Sequence, residues 1–478
     1  MTSSSGRTRN WRFRWKQKSE NPLAGDGSGC GSGYDIHVSR QPGRTPARIP
    51  YRSGHRSGGA TSSMSFVLLM HLIAVWFRRS GFKSVLDRQI SGLRGGACES
   101  IAKHSLSIGR LLTEWRCLFV TGSHGRSIAE KGQIMAHFIA RSRAPLRLGL
   151  AGGGTDVSPY SDRFGGLTLN VTIDRFAYAS IVPRDDARIE LTAADTQVRW
   201  IGEISPELPP IKGLGLHVGV YNRIVKQFNG GHPLAVSITT HSEAPPGSGL
   251  GSSSTVVVAL VEAFCELLSL PLGEYDVAKL AHDIERVDLA LAGGKQDQYA
   301  ATFGGLNFME FYGDKVIVNP LRIKQDTKAE LEASLVLFYT GVSRESANII
   351  KEQSNNVTEN LTDPLAALHE VKAEATRMKE AVLRADFAGI AASMSDSWEA
   401  KKRMAKGISN PSIDELWRVA TNAGAKAGKV SGAGGGGFMM FIVDPIDRPA
   451  VTRALASREG QVMSCTFTES GAQSWRVS

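Results

Sequence analysis

The stretch PPGSGLGSSS at 245–254 sets three glycines and a run of three serines at the head of the apolar segment STVVVALVEAFCELLS. Gly247, Gly249 and Gly251 carry no side chain, so successive backbone N–H groups there can approach an anion. A helix starting at the serines would add its unpaired amides and the positive end of its dipole. A phosphate cradle is the chemistry that follows. The stretch is neither a P-loop nor a dinucleotide-binding Gly-x-Gly-x-x-Gly. A structural turn with one serine capping the helix is the competing reading. Ser252, Ser253 and Ser254 can instead set hydroxyls beside a magnesium-bound phosphate, since Mg²⁺ takes oxygen ligands together with a carboxylate. Glu285 offers that carboxylate. Asp297 follows twelve residues later in a Gly-Gly-Lys-Gln-Asp-Gln turn.

Phosphoryl transfer to a hydroxyl needs the acceptor aligned, its proton withdrawn and the charge in transit compensated. Asp297 can serve the acceptor and Glu285 the metal, while Arg147, in APLRLGLAGGGTD, can stabilise negative charge on both Asp297 and the acceptor. Taken singly, each is more readily an ion-pair partner or surface charge than a catalytic group. Their attachment to three loop motifs favours the chemical reading.

The elements that must carry these residues read as α+β from Met135 onward. Strands are expected at 137–148, 166–182, 235–243, 304–311 and 333–340 from β-branched and aromatic alternation. Helices are expected at 214–228, 254–269, 274–291, 361–383, 385–402 and 410–427. KVSGAGGGGFMMFIV at 429–443 reads as a glycine loop feeding a buried strand, followed by a helix at 447–458 and a strand at 461–468. Two mixed domains, 135–320 and 321–478, would then meet at a cleft.

The chain has 478 residues, 42% hydrophobic and 21% charged, which suits a multidomain globular protein and excludes coiled coil or collagen. Its five cysteines, Cys30, Cys98, Cys117, Cys265 and Cys465, are odd in number and widely spaced, against structural zinc and a disulfide scaffold. The net charge of +10 is local: residues 1–134 hold 21 of the 56 basic and 7 of the 46 acidic side chains, which leaves the remainder mildly acidic. Tryptophan and arginine interleave at 7–18 and could stack on bases, but the larger part offers no matching basic stripe, so no nucleic-acid partner is expected. The apolar run FVLLMHLIAVWF at 66–77 is short of a bilayer span and too far from Met1 for a signal peptide, so no stable membrane insertion is expected. Residues 1–134 are read as a disordered or upstream-translated leader, with a targeting or regulatory extension as the alternative.

APLRLGLAGGGTD at 144–156, PPGSGLGSSS at 245–254 and KVSGAGGGGFMMFI at 429–442 resemble, in order, the three motifs of the galactokinase, homoserine kinase, mevalonate kinase and phosphomevalonate kinase (GHMP) superfamily. The resemblance spans about 138–468. It implies a GHMP fold with an N-terminal domain like ribosomal protein domain 2, a ferredoxin-like C-terminal domain, and ATP and Mg²⁺ at their junction. Matched motif by motif, Asp297 resembles the catalytic base and Arg147 the activating basic residue. Asp156 resembles a sugar-hydroxyl ligand, and Gly434 and Gly435 the glycines beside the substrate. Pro246, Gly247, Ser248, Gly249, Leu250, Gly251, Ser252, Ser253 and Ser254 resemble the ATP loop, with Ser253 and Glu285 holding the metal.

RSRAPLRLGLAGGGTDVSPYSD and GKQDQYAATFGG are most similar to the branch that phosphorylates the anomeric hydroxyl of a heptose 7-phosphate on the way to nucleotide-activated heptose; a fucokinase-like enzyme is the alternative. Where free-galactose kinases carry glutamate and histidine, this chain has Gly153 and Gly154, against a free-galactose substrate. A substrate that already carries a phosphate needs a second positive pocket, for which Arg163, Arg175, Arg286, Lys295 and Arg344 are candidates. ATP use, the missing span and the unpaired cysteines together make a cytoplasmic location the expectation.

Overall fold

The computed structural model of the protein describes residues 138–341 and 346–478; the basic leader, its apolar run and Arg344 lie outside the described residues. The chain opens with β1 (Ile139–Ala151), α1 (Tyr160–Phe164), β2 (Gly166–Pro183), β3 (Arg188–Ala193), β4 (Val198–Glu203), α2 (Gly215–Phe228) and β5 (Val236–Ser242). Next come α3 (Ser252–Leu268), α4 (Glu274–Asp283), a π-helical turn at Ile284–Asp288, α5 (Gln296–Phe303) and the hairpin β6 (Leu306–Tyr312) and β7 (Lys315–Pro320). The second half runs α6 (Gln325–Ser334), β8 (Leu335–Tyr339), α7 (Ser346–Thr358), α8 (Thr362–Arg384), α9 (Phe387–Lys402), α10 (Pro411–Asn422), β9 (Ala425–Val430), β10 (Phe438–Val443), α11 (Arg448–Ala456), β11 (Gln461–Met463) and β12 (Gln473–Val477).

Eight strands form the first sheet, in the order β12-β1-β2-β5-β3-β4, with the β6–β7 hairpin joined to the first half of β2. β1 explains how a charged site residue comes to be buried. Its first residues alternate in burial, but from Leu146 to Ala151 every residue is buried, because covering elements close over both faces. Leu146, Leu148 and Leu150 enter an apolar cluster with Leu331, Leu337, Met378, Phe438 and Met440, which ties the first sheet to the second. Arg147, between those leucines, is 4% exposed. α3 carries Val256, Val257 and Val258 in succession although β-branched residues are indifferent helix formers; nearly all-round burial overrides the propensity.

The second sheet has the order β11-β8-β10-β9 with every pairing antiparallel, and its connections run strand, helices, strand, strand, helix, strand. That is the ferredoxin-like arrangement expected for the C-terminal half.

Several expected boundaries shift. The helix expected over 274–291 breaks at Asp283 into the π-turn that carries Glu285. Asp297 lies in the first turn of α5 rather than in a free turn. The helix expected over 410–427 stops at Asn422, where Gly424 at φ +116° turns the chain into β9. The strand expected at 461–468 shrinks to β11. Five residues near the C-terminus, β12, pair instead with β1 in the first sheet. The β3–β4 hairpin, β7 and α6 had no counterpart in the expectations.

Candidate active site

A cleft of about 660 Å³ lies where the three glycine-rich segments converge. Its lining includes Arg147, Gly153, Gly154 and Asp156 of the first segment, Pro246, Gly247, Gly249 and Gly251–Ser254 of the second, and Gly432 and Ala433 of the third. Glu285, Arg286, Gln296, Asp297, Gln353, Lys401 and Lys429 complete much of the wall. Ser248, Leu250, Gly434 and Gly435 of the expected set do not line it. Leu250 packs in the apolar cluster, and the Ser248 carbonyl accepts from the Phe438 N–H at 2.8 Å. Gly435 donates its N–H to the Ile408 carbonyl at 2.8 Å, so the third segment meets the cleft two residues earlier, at Gly432 and Ala433.

The second and third segments touch backbone to backbone. A Cβ at Gly249 would lie 2.4 Å from the Ser431 carbonyl oxygen, and Gly249 sits at φ +81°. One at Gly432 would lie 2.8 Å from Gly249 Cα. Side chains are excluded there because two chains share the space.

None of the three serines caps α3. Its N-cap position is Gly251, and no side chain accepts from its first amides. Ser252 Oγ pairs with Ser248 Oγ at 3.0 Å, Ser253 Oγ donates to Glu285 Oε1 at 3.0 Å, and Ser254 Oγ accepts from Gln298 Nε2 at 3.0 Å. Capping, the competing reading of these residues, therefore fails. The uncapped end of a 17-residue helix lies at the cleft wall, where its amides and dipole suit an anion.

Glu285 is 1% exposed. Its Oε1 accepts from Ser253 and its Oε2 from Gln298 Nε2, with the Arg286 guanidinium 3.8 Å away. A buried carboxylate and a hydroxyl held together at the helix start form an oxygen donor set of the kind a hard divalent cation takes. Among the described residues no group of three or more His, Cys, Asp or Glu gathers into a protein-only metal cage. Phosphate oxygens would have to supply the other ligands, which is the usual habit of Mg²⁺.

Arg147 Nε donates to Asp297 Oδ1 at 2.8 Å and its Nη2 lies 2.6 Å from the same oxygen, while Nη1 donates to the Gly249 carbonyl at 2.7 Å. One guanidinium thus fixes the Asp297 carboxylate against the glycine loop. Asp297 stays accessible at 26% side-chain exposure. Asp156 is 6% exposed; its Oδ1 accepts from the Gly154 N–H at 3.1 Å and its Oδ2 from the Gln296 N–H at 3.0 Å. It therefore braces the first glycine segment against α5 as well as lining the cleft.

Among the wall residues that escaped the expectations, four carry long polar side chains. Lys401 Nζ donates to the Gly432 carbonyl at 2.6 Å and to the Gly153 carbonyl at 3.4 Å, and Lys429 Nζ to the Gly149 and Leu150 carbonyls at 2.9 and 3.1 Å. Burial pushes Lys401 down to about 8, with Arg147 adding to the shift and Asp156 opposing it. Burial, with Lys401 and Arg147 nearby, also holds Lys429 well below the usual lysine range. Gln353 Nε2 donates to the Gly154 carbonyl at 2.7 Å. Gln296 is 5% exposed and its Oε1 has no protein partner. Lys429 and Gln296 stand inside quoted motifs and could have been noticed there; Lys401 and Gln353 sit in ordinary amphipathic helices with no local signal.

Among the described residues no helix is long and apolar enough to cross a membrane. Two family models match the chain, GHMP kinases N terminal domain over residues 215–305 and GHMP kinases C terminal over 378–461. The D-glycero-alpha-D-manno-heptose 7-phosphate kinase of Campylobacter jejuni is 46% identical over 338 residues, covering 70% of this chain and 99% of its own. The L-fucokinase/L-fucose-1-P guanylyltransferase of Bacteroides fragilis is 24% identical, covering 74% of this chain and 40% of its own. A crystal structure of a D-glycero-D-manno-heptose 1-phosphate kinase from Bacteroides thetaiotaomicron superposes with a TM-score of 0.61 at 44% identity, covering 71% of this chain and 99% of its own.

Proposed function

The chain belongs to the GHMP kinase superfamily, whose membership implies ATP and Mg²⁺, and from that premise we propose that it transfers the γ-phosphoryl group of ATP to the anomeric hydroxyl of D-glycero-D-manno-heptose 7-phosphate, giving the 1,7-bisphosphate. The observation that carries the reading is the Arg147–Asp297 pair opening onto the same cleft as the uncapped start of α3. A base for the acceptor and a cradle for the donor then share one space.

The Gly247–Gly251 backbone and the first amides of α3 would receive the ATP phosphates. Ser253 and Glu285 would hold Mg²⁺, which when bound offsets phosphate charge. Asp297 would accept the proton of the acceptor hydroxyl, with Arg147 holding its carboxylate in place and adding positive charge beside the reacting oxygens. Asp156, fixed by two N–H donors, would accept from a sugar hydroxyl. Gly153 and Gly154 leave room where a bulkier pair would shorten the acceptor end. We place this activity in residues 135–478, in a protein of the cytoplasm.

The names of the relatives differ over which end of the sugar already bears phosphate, and one relative is a fucokinase. An ADP-release assay with ATP and Mg²⁺ against the heptose 7-phosphate, the heptose 1-phosphate, free heptose and L-fucose separates these cases. The highest kcat/KM is expected on the 7-phosphate. A preference for L-fucose would replace the proposal with the fucokinase-like alternative.

A further inference from the structure

We propose that Lys401 is the residue that receives the phosphate already carried by the sugar, and so sets the preference for a phosphorylated acceptor. The assignment rests on the sugar-phosphate reading above and adds to it the specificity contact.

Of the cations named from sequence, Arg344 lies outside the described residues, and the other four do not supply that contact. Arg163 donates to the Val357 carbonyl and to Asn360, Arg175 to the Asp174 and Ser464 carbonyls, and neither lines the cleft. Lys295 also lies off the wall, turned to the Gly313 carbonyl and Asp162. Arg286 lines the cleft, but its guanidinium donates to the carbonyls of Leu291, Ala292 and Gly294 and lies near Glu285. Arg147 is committed to Asp297 and the Gly249 carbonyl.

Lys401 differs in both place and valence. It projects from α9 of the C-terminal half and reaches the first glycine segment of the N-terminal half. A Cβ at Gly153 would lie 3.6 Å from its Nζ, so the ammonium stands beside the space the glycine leaves. Its two partners are neutral carbonyls, one of them long at 3.4 Å, and an ammonium has three donors. The residue is 4% exposed and, among the described residues, makes no direct ion pair with a carboxylate, Asp156 acting on it only from a distance. A buried ammonium with no carboxylate in contact is costly, and an anion entering the cleft would offset that cost. The downward shift of its titration is the same cost seen from the proton side. One further feature points to an anion on this wall. Ser346 and Ala347, which open the 13-residue α7, line the cleft at the helix's positive end.

The test is a substrate difference on the full chain. Parent, Lys401→Met and Lys401→Arg are assayed with D-glycero-D-manno-heptose 7-phosphate and with the same heptose lacking phosphate, at saturating ATP and Mg²⁺. Removing a charged contact to the phosphate should lower kcat/KM for the 7-phosphate by about 30-fold or more, chiefly through KM. The loss on the unphosphorylated sugar and the change in the KM for ATP should both be smaller than the loss on the 7-phosphate by about tenfold or more, because only the 7-phosphate loses a charged contact as well as the bonds Lys401 makes to the Gly153 and Gly432 carbonyls. Lys401→Arg should recover part of the preference. Inorganic phosphate should compete with the 7-phosphate in the parent and lose that competition in a second variant, Lys401→Gln, which decides the matter if the methionine variant folds poorly. Equal losses on both sugars, a shift in the KM for ATP instead, or an unchanged preference would overturn the assignment while leaving the proposed function standing. A parent that turns over no sugar phosphate would overturn both.

Discussion

Arg147 and Asp297, 150 residues apart in sequence, meet at 2.6 Å through Nη2 and Oδ1, with the guanidinium buried and the carboxylate open to the cleft. The asymmetry has a chemical use. The buried partner cannot leave, so the exposed carboxylate keeps one orientation while its remaining oxygen is available to an acceptor hydroxyl.

Asp297→Asn keeps the shape and removes the base. Single-turnover phosphoryl transfer should fall by about 10² to 10⁴ while ATP binding is retained, the usual scale for a lost positioned base. Retention of half the parent rate would leave Asp297 as an aligning group only.

Glu285→Gln should move the Mg²⁺ dependence of turnover to higher concentration, and Ser253→Ala should move it less, since a carboxylate contributes more than a hydroxyl to a hard cation. Metal titrations at fixed ATP read the shift. Unchanged curves for both variants would return the pair to a structural hydrogen bond.

Gly249→Ala asks a side chain to occupy 2.4 Å from the Ser431 carbonyl at φ +81°. The strain should cost about 1–3 kcal/mol in urea unfolding or appear as a comparable loss of ATP affinity. An alanine variant equal to the parent in both would mean that the two loops do not approach as closely as described.

Lys401 gives a pH signature. Its ammonium faces Arg147, Asp156 and Lys429 and titrates at about 8 because burial disfavours the charge, Arg147 adds to the effect and Asp156 opposes it. The folded-state value lies below the ordinary lysine value, so the positive charge is present below pH 8 and is lost as pH rises through it. The KM for the sugar phosphate should therefore be flat at neutral pH and climb above about 8, at up to about tenfold per unit, since one proton is lost. Lys401→Met should abolish the climb, and a parent profile flat to pH 10 would contradict it.

The sequence made the motif loops legible because glycine, serine and carboxylate spacing is local. Arg147, Ser253, Glu285 and Asp297 do converge on one cleft. The alternating and β-branched runs made most strands legible for the same reason. Lys401 and Gln353 were not, because their role depends on α9 and α7 packing against a segment 248 and 199 residues earlier. β12 was hidden likewise: five exposed or half-buried residues become a strand only because the edge of β1 is open to them. The serines were ambiguous until the N-cap position fell on Gly251, one residue before them.

The most direct measurement is phosphorus NMR of the product formed from ATP, Mg²⁺ and D-glycero-D-manno-heptose 7-phosphate by the purified full chain. The account predicts one ADP per sugar, with the 7-phosphate resonance retained and a second sugar-phosphate resonance coupled to the anomeric proton. ADP release without a new sugar phosphate, a new phosphate at any other carbon, or no turnover of this sugar alongside ready turnover of another would contradict it.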